Sequence, residues 1–158
     1  MRNTELLCGG AMTEVPIRRA VSADTDACAD ILNDWIDSRD WMPRIHSPQS
    51  VRAHYRDEVF AKRDLYVAGD PPEGFMALDR DAALITALYL ARSARGRGLG
   101  KRFLDLAKAG RDRLDLWTFV ANRPAQAFYR REGFTEIRRS DGDNEEGLPD
   151  ILFRWEAA

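Results

Sequence analysis

The sequence predicts a mixed α/β (α+β) fold, built as one domain around one sheet. Three observations carry this. The chain has 158 residues, enough for a single hydrophobic core. Strand-like and helix-like apolar periodicities follow one another in the order β-α-α-β-β-β-α-β-α-β-β. A glycine-rich turn, Arg95-Gly96-Arg97-Gly98-Leu99-Gly100-Lys101, joins an apolar strand to an amphipathic helix. Such an order places helices on both faces of a mixed sheet.

The elements follow in turn. Val15 to Val21 reads as the first strand. Ser22 is the expected N-cap of a helix to about Arg39, with Asp24 and Asp26 facing its dipole. Cys28, Ile31, Leu32, Trp35 and Ile36 form its apolar stripe. Asp40 to His46 is a loop with heavy side chains, Trp41 among them. Ser47-Pro48 opens a second helix, to about Ala61, by the N-cap and N1 preferences. Leu65–Ala68 is a short strand, and Gly69-Asp70-Pro71-Pro72 a turn. Gly74–Leu78 and Ala83–Leu90 read as an antiparallel pair around Asp79-Arg80-Asp81. Phe103, Leu104, Leu106 and Ala107 give a third helix, Leu99 to about Lys108. Leu114–Val120 alternates as a strand. Pro124 fits the first turn of a fourth helix and Gly133 its C′ stop. Phe134–Arg139 and Ile151–Trp155 are the last strands, separated by an acidic loop from Asp141 to Gly147.

Residues 1–12 show no periodicity and contain Gly9-Gly10. They are expected to form a flexible tail ahead of a domain spanning 13–158. Met1 and Met12 both remain open as the natural start. Net charge is only −2, which disfavours a nucleic-acid-binding role. Cys8 lies in the tail and Cys28 on an apolar helix face, so no disulfide is expected and Cys28 reads as core. No apolar run reaches membrane-spanning length and no signal peptide is evident, so a cytoplasmic location is expected.

The glycine turn carries the chemistry. Between a strand and a helix it leaves backbone N–H groups pointing into one hollow, at the positive end of the helix dipole. Arg95, Arg97, Lys101 and Arg102 add formal charge, so the hollow suits a phosphate. Spacing separates the loop types. A nucleotide-triphosphate loop needs Ser or Thr after Gly-Lys and a glycine five residues before it; here Arg102 and Arg95 stand there. The dinucleotide fingerprint needs its third glycine one residue later than Gly100. The R-x-x-G-x-G pattern is met by Arg95, Gly98 and Gly100. It resembles the pyrophosphate loop of the GNAT acyltransferase superfamily.

A second segment strengthens the resemblance. After the Leu114–Val120 strand come Asn122, Ala125, Phe128, Tyr129, Gly133 and Phe134, at the spacing of a second GNAT motif. The two motifs cover residues 83–135 in the family's order. The resemblance implies a single domain with a central, mostly antiparallel, splayed sheet of about seven strands flanked by four helices. It implies acetyl-CoA as co-substrate, no metal, and N-acetyl transfer to a primary amine of a small molecule or peptide by direct attack in a ternary complex. The cofactor set it implies is Leu88, Leu90, Arg95, Gly96, Arg97, Gly98, Leu99, Gly100, Lys101, Asn122 and Phe128. The pantetheine arm would pair with exposed backbone of Leu88, Tyr89 and Leu90, and the Leu90 amide would donate to the oxyanion. Tyr129 corresponds to the general acid that protonates the leaving thiolate.

The resemblance breaks at the general base. Many family members carry a Glu on the strand before the glycine loop; here Leu84 to Leu90 holds no carboxylate. His46 and Asp79 are alternatives, and the base stays unassigned. Trp41 and His46 stand in the loop that lines the acceptor pocket in this family, and the acidic loop suits a cationic amine. A non-catalytic acyl-CoA-binding domain on the same fold is the competing reading. The acceptor's identity and a homodimer stay open.

Overall fold

The computed structural model describes residues 14–158. The expected tail, with Cys8 and the alternative start Met12, lies outside the described residues. The remainder forms seven strands in one sheet: β1 Ile17–Arg19, β2 Asp64–Ala68, β3 Gly74–Asp79, β4 Leu84–Leu90, β5 Arg113–Phe119, β6 Thr135–Ser140 and β7 Asp150–Glu156. Their order across the sheet is β1-β2-β3-β4-β5-β7-β6. All neighbouring pairs are antiparallel except β4 with β5. Helix α1 is Thr25–Asp37, α3 is Leu99–Lys108 and α4 is Arg123–Arg131. Helix α2 starts as Pro48–His54, passes through a π-helical turn at Tyr55–Val59, and ends at Phe60–Lys62.

Alternation along the strands sorts side chains into two cores. Met76, Leu78, Leu114, Leu116 and Phe153 meet Phe103 and Leu104 of α3 and Phe134 after α4. Leu65, Val67, Phe75 and Ala77 point the other way, onto Cys28 and Ile31 of α1 and Val51 and Tyr55 of α2. Cys28 is fully buried, as expected, and burial pushes its thiol up to about 12.

Two details differ from the sequence reading. The first strand keeps only three ladder residues, Ile17 to Arg19, paired with Tyr66 to Ala68. The start of α1 is also built differently. Ser22–Asp24 forms a 3-10 turn, and the Asp24 carboxylate, not the Ser22 hydroxyl, accepts the Val21 N–H at 2.8 Å. Asp24 is buried and takes both guanidinium nitrogens of Arg18, at 2.7 and 3.0 Å. That hydrogen bond holds its carboxyl below the usual range.

The β4–β5 pairing decides where a ligand can enter. Only Leu84↔Asp115 and Ile85↔Leu116 are in register. The register of β4 against β3 shifts at Ala77/Leu78, leaving Thr86 as the extra residue of a bulge. A bulge bends its strand, and beyond it β4 and β5 part.

Candidate active site

A cleft of about 590 Å³ opens where the two strands part. Residues Ile85 to Leu90 form one wall and Leu116 to Phe119 the other; α4 and the glycine loop close one side. The volume suits a small-molecule ligand.

Backbone direction on β4 follows from one bond. The Ala91 N–H donates to Glu73 O at 2.8 Å, toward β3. Direction alternates along a strand, so Leu88 and Leu90 turn their N–H and C=O away from β3, into the gap that β5 has left. The Leu90 carbonyl accepts Arg95 Nε at 3.2 Å. The amides of Leu88 and Leu90 face open cleft, as a strand-like ligand arm requires.

The glycine loop caps the cleft at the start of α3. Its three glycines do different work. Gly96 and Gly98 have φ of +75° and +80°, in the left-handed region that L side chains resist. Gly100 lies inside α3, and a Cβ there would come within 3.0 Å of the Phe128 ring. Glycine therefore lets α3 and α4 approach. Arg95 turns back over the end of β4, and burial, then Arg39 and Arg92, lower its proton affinity. No ion pair to a carboxylate is seen for these three guanidiniums among the described residues. Uncompensated charge beside free helix-start amides fits a pyrophosphate. Arg97 and Lys101 differ: Arg97 pairs with Glu73 at 2.7 Å, and Lys101 with Glu132 at 3.3 Å. Lys101 still lines the cleft; Arg97 does not.

Helix α4 is anchored at its start. Asn122 Oδ1 accepts the Ala125 N–H at 3.3 Å, the N-cap bond, while Asn122 also faces the cleft. Gln126, buried, donates to Phe119 O and Val120 O at 3.2 and 2.7 Å, tying α4 to the end of β5. Gly133, at φ +94°, ends the helix. Asn122→Ala should cost about 1 kcal/mol of stability. Chemical denaturation measures this, and an unchanged midpoint would show that the cap bond is idle.

Tyr129 is 9% exposed and packs against Phe134 and Phe128, with its ring in the cleft wall. Burial, then neighbouring Tyr89, pushes its phenol well up, so it stays protonated at neutral pH. No hydrogen bond to its hydroxyl is seen among the described residues.

The other candidates separate clearly. Asp79 Oδ1 accepts the Ala82 N–H at 3.1 Å, a hairpin bond away from the cleft. Trp41 packs edge-on against Trp35 and Phe119, each at 5.7 Å, and so buttresses the cleft wall from behind. His46 Nε2 meets Glu145 Oε1 at 2.7 Å, joining the α1–α2 loop to the acidic β6–β7 loop. Neither Trp41 nor His46 lines the cleft itself. Trp35, Arg39 and Tyr89 do, and sequence reasoning missed their side chains. The signal for Tyr89 was present: it alternates with Leu88 and Leu90, so its ring leaves on the opposite face. Among the described residues no group of three or more His, Cys, Asp or Glu is placed to hold a metal, and no helix is long and apolar enough to cross a membrane.

This geometry has relatives. The family model of the acetyltransferase (GNAT) domain matches residues 57–136. Peptidyl-lysine N-acetyltransferase YiaC of Escherichia coli K12 is 27% identical, over 88% of this chain and 95% of its own. The solution structure of apo-form YjaB from Escherichia coli superposes with a TM-score of 0.74 at 23% identity, covering 91% of this chain and 99% of that one. The structure of yncA from Salmonella typhimurium with its cofactor acetyl-CoA gives 0.65 at 18% identity, covering 91% and 96%. With its glycine loop at the head of α3, its parted β4 and β5 and its match to the family model, the chain belongs to the GNAT acetyltransferases and is an N-acetyltransferase that uses acetyl-CoA.

Proposed function

We propose that the protein acetylates a primary amine of a small molecule or peptide by direct attack within a ternary complex. The observation that carries this is the Tyr129 hydroxyl, buried with no hydrogen-bond partner among the described residues, in the cleft that Leu88 and Leu90 also line. The pyrophosphate rests on the amides of residues 95–100, with Arg95 beside it. The pantetheine arm runs along β4 and hydrogen-bonds there. The Leu88 and Leu90 amides hold the arm and the thioester oxygen, where charge develops in the transition state. Tyr129 donates to the sulfur as the carbon–sulfur bond breaks. Asn122 holds the arm from the α4 side, next to Phe128. The amine approaches from the mouth framed by the α1–α2 loop, with Trp41 and His46, and the β6–β7 loop.

One observation favours a second reading, a non-catalytic acyl-CoA-binding domain: β4 carries no carboxylate to act as base. A panel separates the two. It holds a lysine peptide with blocked ends, a peptide with a free N-terminus, a polyamine and a free amino acid. Thiol release from acetyl-CoA should rise above background with at least one of them. Tight acetyl-CoA binding with no amine-dependent release would favour the binding domain. The lysine peptide belongs in the panel because YiaC, by its name, acts on peptidyl-lysine.

A further inference from the structure

A second hollow lies on the α1–α2 face of the sheet, and the acetyl-transfer reading does not use it. It measures about 260 Å³ and runs beneath the second half of α2. Two local features open it. In the π turn the Phe60 N–H reaches back five residues to the Tyr55 carbonyl, a wider turn than the α-helix makes. Across from it, Ala77 of β3 and Ala87 of β4 are register partners, and their methyl groups leave space unfilled. Thr86, the extra residue of the β4 bulge, and Ala87 line this hollow and the cleft alike. The bulge, where β4 and β5 part, is therefore the wall common to both.

The polar lining is rich in donors that have nothing to donate to. Tyr55 is 5% exposed, its ring edge-on to Phe75 at 5.5 Å, and no hydrogen bond to its hydroxyl is seen among the described residues. Burial pushes that phenol well above its ordinary value, so it stays a donor at neutral pH. Arg63, half-buried at the end of α2, gives one N–H to the Lys62 carbonyl at 3.4 Å and meets no carboxylate among the described residues. His54 packs edge-on to Tyr55 at 6.1 Å, with no side-chain hydrogen bond among the described residues either. Lys62 differs, being paired with Glu58 at 2.5 Å. A buried donor left unpaired is a cost that native folds seldom carry without a use. Lys62 and Arg63 against Glu58 leave one net positive charge, His54 aside. That matches a carboxylate better than the greater charge of a phosphate monoester. The volume falls below the roughly 300–1,000 Å³ of whole-ligand pockets, so the hollow suits one group of a ligand whose remainder lies in the cleft.

We propose that this hollow seats a carboxylate of the acceptor, with Arg63 and the Tyr55 hydroxyl as its donors, and that the amine acetylated therefore belongs to a free amino acid or a similarly small amino-carboxylate. The inference rests on the acetyl-transfer reading above and names the acceptor class within it. The acceptor lies along the bulge, its carboxylate under the π turn and its amine on the cleft side of Thr86 and Ala87. A lysine peptide with blocked ends and a polyamine offer no carboxylate to the hollow.

The test compares free amino acids, each with its own carboxamide, at saturating acetyl-CoA. The carboxamide keeps the shape and removes the charge. Amidation also makes the amine easier to deprotonate, so without recognition of the carboxylate the amide would react faster. Instead kcat/KM should be about 10–150-fold higher for the acid, the worth of one hydrogen bond to a charged group. Arg63→Gln and Tyr55→Phe should each bring that ratio toward one by raising the KM for the acid, with the acetyl-CoA KM unchanged and Tm not lowered. Arg63→Lys should restore part of it. Arg56→Gln, on the same helix but outside the hollow, should leave the ratio as it was. A readout without turnover comes from fluorine NMR of the 3-fluorotyrosine-labelled protein with CoA bound. The amino acid should shift the Tyr55 resonance, which Tyr55→Phe identifies, and its carboxamide should not. A ratio at or below one, a ratio unmoved in Arg63→Gln, or an unmoved Tyr55 resonance would each overturn the subsite while leaving acetyl transfer intact. So would turnover of the lysine peptide or the polyamine alone. Failure of the unaltered protein to turn over any panel amine would instead remove acetyl transfer, and the subsite with it.

Discussion

Tyr129→Phe should lower kcat by roughly 10²–10⁴-fold, the usual worth of general acid catalysis. The acetyl-CoA KM should change little, because the phenol acts on sulfur only as the C–S bond breaks. The ring makes the packing contacts with Phe128, Phe134 and Phe153, and phenylalanine keeps all of them. Stability should therefore stay near that of the unaltered protein, which separates lost chemistry from lost fold. The sign of the pH effect follows from burial. A phenol held above its ordinary value of about 10 remains a donor throughout the neutral range. Tyr129 should therefore impose no alkaline loss of activity below that value. A thiolate is already a tolerable leaving group, and a water that replaced the phenol would put the loss at the low end. Wild-type kcat in Tyr129→Phe, measured where chemistry limits the rate, would reduce the tyrosine to a packing residue.

Some of this was legible in the chain because the demand is local. Gly96 and Gly98 are required by their own φ angles, and Gly133 by the helix it ends. Asn122 and Pro124 mark the start of α4 within three consecutive residues. The order of elements along the chain followed from one apolar period succeeding another. Other features depend on side-chain partners that no apolar period marks. Asp24 looked like a dipole-facing acid, yet the partly exposed Arg18 guanidinium and the Val21 amide claim it. Trp41 was expected as an acceptor contact; its edge contacts with Trp35 and Phe119 appear only in the folded chain. His46 meets Glu145, 99 residues later, which no local pattern announces. Arg97 and Lys101 illustrate the same limit: sequence counts their charge but not the Glu73 and Glu132 that partly spend it. The directions of the Leu88 and Leu90 amides needed the register of β4 against β3.

Gly98→Val should raise the acetyl-CoA KM by about 10–150-fold, the worth of one amide hydrogen bond to a charged group at ~1.5–3 kcal/mol. Gly98 caps α3 at φ +80°, ψ 5°. A Cβ there meets nothing within 4 Å, so the free protein has room for the side chain. The cost is conformational: left-handed backbone disfavours L side chains by about 1–2 kcal/mol, most of all β-branched ones. The loop can relieve that strain by turning, which takes its amides off their common point. Gly98→Asn tests the cause, since Asn tolerates this region better than Val does. If conformation alone matters, Asn should leave KM near that of glycine. If the side chain blocks the anion, both variants should raise KM together. At Gly100 the physics differs. The Phe128 ring 3.0 Å from an added Cβ predicts that Gly100→Ala pushes α3 from α4 and lowers Tm as well as affinity. An unchanged acetyl-CoA KM in a folded Gly98→Val protein would move the pyrophosphate away from this loop.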